Sequence, residues 1–335
     1  MLPRSESRPR ASVNIIGAGV AGSWQALALS RAGFSVSLFE RDDPALKTST
    51  GYRAGGMLAP YCESEAAEPV ITRLGLRSLD LWREEFPDMQ FDGTIVVAHR
   101  RDRADFDRFA RQTTGHEQIA SERIAELEPS LAGQFDRALF FAGEGHVEPR
   151  AIVPRMHRRL SERGVAIHYA SAREPGELDG ISIDCRGLAA RKQGLRGVKG
   201  EMIVVETGEI ALTRPVRLLH PRWPLYIVPR EHNRFMIGAT SIEAEDDGVS
   251  VRSALELLSA AYAVHPAFAE ARIVEIGAGL RPAFPDNLPR IAVNGDRISV
   301  NGLYRHGFLL APALAELTAA YLTRGAIDNE VMSCA

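Results

Sequence analysis

A glycine loop near the N-terminus constrains this chain more than any other feature. Gly17-Ala-Gly19-Val-Ala-Gly22 has the spacing G-x-G-x-x-G. A motif this short gains meaning only from its flanks. Ser12 to Ile16 is a β-branched run that stops at the glycines, as a buried strand does. Val20 to Arg31 reads as a helix closing at Gly33. Phe34 to Glu40 reads as a second strand that ends in a carboxylate. This is one β-α-β unit with a loop built for a dinucleotide.

Each glycine has a physical task. Gly17 permits the tight turn, Gly19 lets the backbone approach a pyrophosphate, and Gly22 lets the helix pack close to the strand. Val20 and Ala21 open the helix, so its free amides and positive dipole end face the phosphates. Glu40, 18 residues after Gly22 and followed by Arg41, is placed to accept from ribose hydroxyls. A carboxylate there disfavours a 2′-phosphate and so argues against NADP.

The rest of the chain departs from an NAD-binding pattern. A second glycine-rich loop, Thr50 to Pro60 with Gly55-Gly56-Met57-Leu58 at its centre, follows where regular alternation should continue. FAD is longer than NAD and needs more loops brought to it, so the sequence favours FAD. Helical patterns follow at Pro69–Phe86, Arg103–Arg111 and Ser121–Leu127, and Pro149 stands where a helix takes its first-turn proline. Gly93–Ala98, Ala138–Ala142, Val165–Tyr169 and Ile181–Cys185 read as strands. Met202–Val205, Val216–Leu219, Tyr226–Val228 and Phe235–Gly238 are strands without intervening helices, which predicts antiparallel sheet. A helix at Val251–Tyr262, strands at Arg272–Ile276 and Ile298–Val300 and a helix at Phe308–Leu322 complete the series.

The expected fold is α/β: a Rossmann-like FAD-binding domain with an inserted α+β substrate domain built on an antiparallel sheet. The first domain is assigned 11–62, 145–205 and 275–325, the second 63–144 and 206–274, with tails at 1–10 and 326–335. The length of 335 residues suits two domains. A net charge of −3 gives no global pull toward nucleic acid or anionic membrane. Cys62, Cys185 and Cys334 are too few and too spread for a disulfide framework, and no cysteine or histidine spacing suggests a metal. No apolar run reaches a membrane-spanning length and the N-terminus lacks an apolar signal segment, so a cytoplasmic enzyme is expected.

Further motifs occur in order: Gly145-His-Val-Glu-Pro149, Leu195-Arg-Gly-Val-Lys-Gly-Glu201, Tyr226-Ile-Val-Pro-Arg230, Ile237-Gly-Ala-Thr240, Gly277-Ala-Gly-Leu-Arg281-Pro282 and Arg305-His-Gly-Phe-Leu-Leu-Ala-Pro312. With the two glycine loops, they make the chain resemble the amino-acid oxidase branch of the glutathione-reductase-like flavoproteins, most closely the glycine oxidases of thiamine biosynthesis, from about Val13 to Leu322. The resemblance implies noncovalent FAD and oxidation of a small amino acid at its α-carbon by hydride transfer to flavin N5. O₂ becomes H₂O₂, and the imine feeds thiazole synthesis, a functional link to a thiazole synthase. It also implies a homo-oligomer. The sequence departs from the family at Glu148, where Asp is usual, and at Leu303 and His306, which replace His and Asn. These departures leave open the ranking of glycine, sarcosine and small D-amino acids.

Four residues carry the expected chemistry. Arg281 grips the substrate carboxylate, since a guanidinium offers a planar bidentate fork. Tyr226 donates its phenol to the same carboxylate. Arg305 and His306 contact the substrate amine or flavin through the turn before the last helix. The amides of Gly307, Phe308 and Leu309 stabilise negative charge on reduced flavin. Met57 and Leu58 pack on the flavin ring, or serve as plain core. Glu63 and Glu65 read as a solvated turn or helix start. Two other functions are consistent with the motifs: a D-amino-acid or N-methyl amino-acid dehydrogenase with another electron acceptor, and a flavin-binding protein without turnover.

Overall fold

The computed structural model describes residues 10–89, 91–220 and 224–334. Of the tail expected at 1–10, residues 1–9 lie outside the described residues, and Arg10 already belongs to the first strand, Arg10–Ile16. Two large sheets organise the chain.

The first has seven strands, in the order Met332–Cys334, Arg290–Asn294, Arg297–Asn301, Ile181–Asp184, Arg10–Ile16, Phe34–Phe39 and Ala166–His168. All neighbours are parallel except Arg290–Asn294 with Arg297–Asn301, which form a hairpin. The strand at Met332–Cys334 corrects the expectation of a tail over 326–335. Val331 and Met332 are buried, at 3% and 7% exposure, so this end of the chain is tied down. Three residues carry too little periodicity to be read as a strand from sequence.

Helices Val20–Arg31, Pro69–Glu85, Pro149–Glu162 and Gly307–Arg324 pack together beside this sheet. Pro149 and Pro69 hold first-turn positions, and Gly325, at φ +69°, closes the last helix. The apolar faces meet in one core where Trp24 and Trp82 stack edge to face at 4.8 Å. The Trp82 indole N–H donates to the carbonyl of Phe308 at 3.0 Å, which fixes the start of the last helix.

The second sheet has eight strands, in the order Arg272–Ala283, Arg196–Glu206, Arg234–Gly238, Leu225–Arg230, Val216–Leu219, Thr94–Ala98, Arg137–Phe141 and Glu117–Ala120. It is antiparallel with one exception: Val216–Leu219 runs parallel to Thr94–Ala98, because a distant crossover rather than a hairpin joins them. Helix Val251–Val264 covers one face, and its Leu257 shares a core with Ile203 and Ile237. The strands Arg196–Glu206 and Arg272–Ala283 are longer than their sequence patterns indicated and pair along their full length. Both belong to this second sheet, so boundaries placed at 205 and 275 cut through its edge. Gly197, Gly200, Gly277 and Gly279 hid these strands, since glycine weakens strand propensity and marks close approach.

Candidate active site

A cavity of about 1380 Å³ runs from the carboxyl ends of the parallel strands to the face of the eight-stranded sheet. Small-molecule pockets usually span roughly 300–1,000 Å³. The space therefore suits an extended ligand together with a second, smaller molecule.

At one end lie Gly17, Gly19, Val20 and Ala21. Gly17 has φ +99°, and a Cβ on it would meet the Cys185 carbonyl oxygen at 2.7 Å. A Cβ on Gly22 would meet the Gly17 oxygen at 1.8 Å. Gly22 is set back from the wall and lets helix and strand meet. Gly19 is different: nothing lies within 4 Å of a Cβ built there, so it faces open cavity. No side chain caps the helix that starts after Gly19, so its first amides are available. Glu40 is 7% exposed, with Oε2 accepting from the Ala18 amide at 2.8 Å and Oε1 from the Asp42 amide at 3.0 Å. These bonds fix a carboxylate that still has lone pairs toward the cavity. Arg41 is exposed at the same rim.

The other end is built from several segments distant in sequence. The loop Gly55-Gly56-Met57 lines it, while Leu58 is fully buried behind. Gly56 has φ +69° and no room for a Cβ, which would lie 2.1 Å from the Val147 oxygen. Met57–Leu58 pairs with Gly145–His146, which ties this loop to the motif before Pro149. Tyr226 packs on Gly55, where a Cβ would sit 2.8 Å from its ring. Burial pushes the Tyr226 phenol up, so it stays a protonated donor. Arg281 lies across Gly200, and its Nη1 donates to the carbonyl of Thr240 at 2.9 Å. Thr240 is held in turn, donating to Glu201 Oε2 at 3.0 Å and accepting from the Glu201 amide at 2.9 Å.

Arg305 and His306 enter from the turn before the last helix, where Tyr304 adopts φ +49°. Arg305 Nη2 pairs with Glu63 Oε2 at 2.7 Å, and His306 Nδ1 lies 3.7 Å from the same oxygen. Burial pushes His306 down to about 4, against the pull of Glu63, so its ring is neutral near pH 7. Burial opposes ionisation of Glu63, but His306, Arg305 and Arg217 together hold its carboxyl below the usual range. Arg217 also reaches Glu65, at 3.3 Å. Glu63 and Glu65 are therefore not the solvated turn expected: their side chains are 22% and 21% exposed and both are ion-paired. Gly307, Phe308 and Leu309 line the cavity at an uncapped helix start.

Sequence similarity accounts for the arrangement. Residues 12–321 match the profile of the family described as DAO, FAD dependent oxidoreductase. The chain belongs to this family. It is 52% identical over 303 residues to a Rhizobium etli protein assigned as the thiamine biosynthesis oxidoreductase ThiO, covering 89% of this chain and 92% of that one. It is 26% identical over 357 residues to the glycine oxidase of Geobacillus kaustophilus, covering 94% and 93%. The crystal structure of glycine oxidase from that organism superposes with a TM-score of 0.78, covering 96% of each chain at 24% identity. A bifunctional ThiO/ThiG protein of Trichormus variabilis is 25% identical over 351 residues, covering 94% of this chain and 53% of that protein.

The cofactor of this FAD-dependent oxidoreductase fits the cavity on structural grounds. The open face of Gly19, the uncapped amides beyond it and the fixed Glu40 carboxylate suit a pyrophosphate and ribose. The glycine floor beneath Tyr226 and Arg281 leaves room for a flat ring. Sequence reasoning gave Glu63 and Glu65 no part in the site, passed over Arg217 and carried Thr240 only inside a motif. The signal of the three charged residues was only the pairing that the fold later brings together. Among the described residues, no helix is long and apolar enough to cross a membrane.

Proposed function

We propose that this chain oxidises a small amino acid at its α-carbon, with glycine as the reference substrate and sarcosine and small D-amino acids as related ones. FAD held noncovalently by the glycine loop and Glu40 would supply the acceptor for a hydride from that carbon and the reductant for O₂, so that the amine becomes an imine and O₂ becomes H₂O₂. The observation that carries this reading is Arg281: a half-buried guanidinium on the cavity floor, without a carboxylate partner among the described residues, beside a protonated Tyr226. A substrate carboxylate answers that charge. Arg281 grips it by two parallel bonds, and Tyr226 donates to it.

His306, with a pKa of about 4, is too weak a base to hold an ammonium proton at pH 7. The substrate amine must therefore lose its proton to solvent before it binds, and in that neutral form its nitrogen lone pair drives the C–H bond to leave. The Glu63–Arg305 pair anchors the turn that places His306 and the amides of Gly307 to Leu309. Those amides, at an uncapped helix start, would favour negative charge on a flavin bound beside them. The enzyme works mostly by positioning. The names of the R. etli and T. variabilis relatives support an imine delivered to thiazole synthesis, with a thiazole synthase as functional partner.

Arg281→Ala tests the assignment. The variant should purify yellow with FAD and lose most H₂O₂ production from glycine. Unchanged H₂O₂ production would remove Arg281 from the site.

A further inference from the structure

Behind the glycine loop stands a group of polar side chains that the proposed reaction does not use. His157, on the helix Pro149–Glu162, is buried. Its Nε2 lies 2.9 Å from the carbonyl oxygen of Ala18 and 3.0 Å from the hydroxyl of the fully buried Ser23. Its Nδ1 lies 2.7 Å from the phenol oxygen of the half-buried Tyr169. Ser23 Oγ also donates to the Ala18 carbonyl, at 3.1 Å. Ser23, His157 and Tyr169 all stand outside the cavity wall.

The proton positions follow from the partners. A carbonyl oxygen only accepts, so His157 Nε2 carries the hydrogen that meets Ala18. Burial pushes the His157 pKa down, so the ring is neutral near pH 7 and Nδ1 is left as an acceptor. Burial pushes the Tyr169 phenol up, so it stays protonated and donates to Nδ1. Tyr169 therefore selects the tautomer that Ala18 requires.

The bonds close a circuit. The amide of Ala18 donates to Glu40 Oε2 at 2.8 Å, and its carbonyl is held by His157. The backbone of Glu40 is held on either side of Tyr169: its amide donates to the His168 carbonyl at 2.8 Å, and its carbonyl accepts from the Ser171 amide at 2.7 Å. Each link fixes the next, from Glu40 through Ala18, His157 and Tyr169 back to Glu40.

The circuit fixes a direction. A trans peptide is planar, with its C=O and N–H on opposite sides. The Ala18 oxygen is drawn back toward His157 and Ser23, so the Gly19 N–H of the same peptide points forward, to the cavity that Gly19 lines. Gly19 has no Cβ to restrict that peptide, and side chains from elsewhere must hold it. Its N–H leads the row of amides that the loop offers to a pyrophosphate.

Resting on FAD being held at the glycine loop, we propose that His157 and Tyr169 are positioning residues for the cofactor: together they aim the Gly19 amide at the pyrophosphate without touching it.

The experiment measures FAD binding by equilibrium dialysis of the full chain after its FAD has been removed. Wild type, Tyr169→Phe, His157→Leu, His157→Gln and the double variant of Tyr169→Phe with His157→Leu are compared, with the melting temperature of each flavin-free protein taken alongside. Tyr169→Phe should weaken FAD binding about 3- to 10-fold and His157→Leu about 10- to 100-fold, the effects of one and of several hydrogen bonds. The double variant should bind no more weakly than His157→Leu, since Tyr169 acts only through the ring. His157→Gln keeps a donor for Ala18 and should recover part of the loss. Tyr169 is half-buried, so Tyr169→Phe decides the matter even if His157→Leu fails to fold. Less than threefold weakening in Tyr169→Phe, whatever its melting temperature, overturns the positioning role and leaves the flavin reading standing. Single effects that simply multiply in the double variant overturn it too. Wild type that takes up no FAD overturns both.

Discussion

Arg281 and Glu201 do not touch, yet one residue links them: Thr240 gives its carbonyl to Arg281 Nη1 at 2.9 Å and its hydroxyl to Glu201 Oε2 at 3.0 Å. Glu201 is fully buried, and its other oxygen accepts from the Ser250 amide at 3.0 Å. The guanidinium is thus aimed by a carboxylate one residue removed. Glu201→Ala should raise KM for the amino acid by roughly 10-fold with a smaller change in kcat, since it loosens a grip made in ground state and transition state alike. Glu201→Gln keeps an acceptor for Thr240 and should recover most of the loss. Steady-state kinetics on the three proteins decide this.

The two ends of the glycine loop should respond differently to the same methyl group. A Cβ at Gly19 meets nothing within 4 Å, whereas one at Gly22 meets the Gly17 oxygen at 1.8 Å. Gly19→Ala should leave the melting temperature of the flavin-free chain within a few degrees of wild type while weakening FAD binding. Gly22→Ala should lower that melting temperature sharply, because the helix must move off the strand. Thermal melts with and without added FAD separate the two.

Much of this was legible in the sequence, and the residues show why. Gly17, Gly19, Gly22 and Glu40 are short-range: their roles follow from one β-α-β unit, so the spacing revealed them. Arg281, Tyr226, Arg305 and His306 were singled out by their motifs, and all four line the same cavity. Glu63 escaped because its meaning depends on Arg305, 242 residues away, and on burial that no local pattern announces. The strand Met332–Cys334 escaped because its order comes from pairing with Arg290–Asn294, not from its own composition.

Acid should act on the fold through His306. Its pKa falls from 6.5 unfolded to about 4 folded, chiefly through burial. Between those values the unfolded chain binds more protons, so this group's contribution is complete above pH 6.5 and is lost as pH falls toward 4. The full loss is roughly 3 kcal/mol. His306→Asn should flatten this part of the pH–stability curve, measured by urea unfolding from pH 4 to pH 7.

Glu144 should act with the opposite sign. It is fully buried and accepts from the Cys62 amide at 2.9 Å, and burial pushes its carboxyl up to about 7. The folded chain holds this proton from pH 4.5 to about 7 while the unfolded chain does not. Its contribution is therefore complete below 4.5 and is lost as pH rises through 7, by roughly 3 kcal/mol. Glu144→Gln keeps an acceptor for Cys62 and should gain on wild type steadily across that window. A gap that stays constant with pH would mean Glu144 does not titrate there.

The central claim is that one cavity holds FAD beside an amino acid whose carboxylate Arg281 binds. A visible spectrum of the purified protein, taken anaerobically before and after glycine and again after air is admitted, tests it most directly. The account predicts an oxidised flavin spectrum that bleaches with glycine and returns in air with formation of H₂O₂. A colourless protein that cannot be reconstituted with FAD, or a bound flavin that no amino acid bleaches, would contradict it.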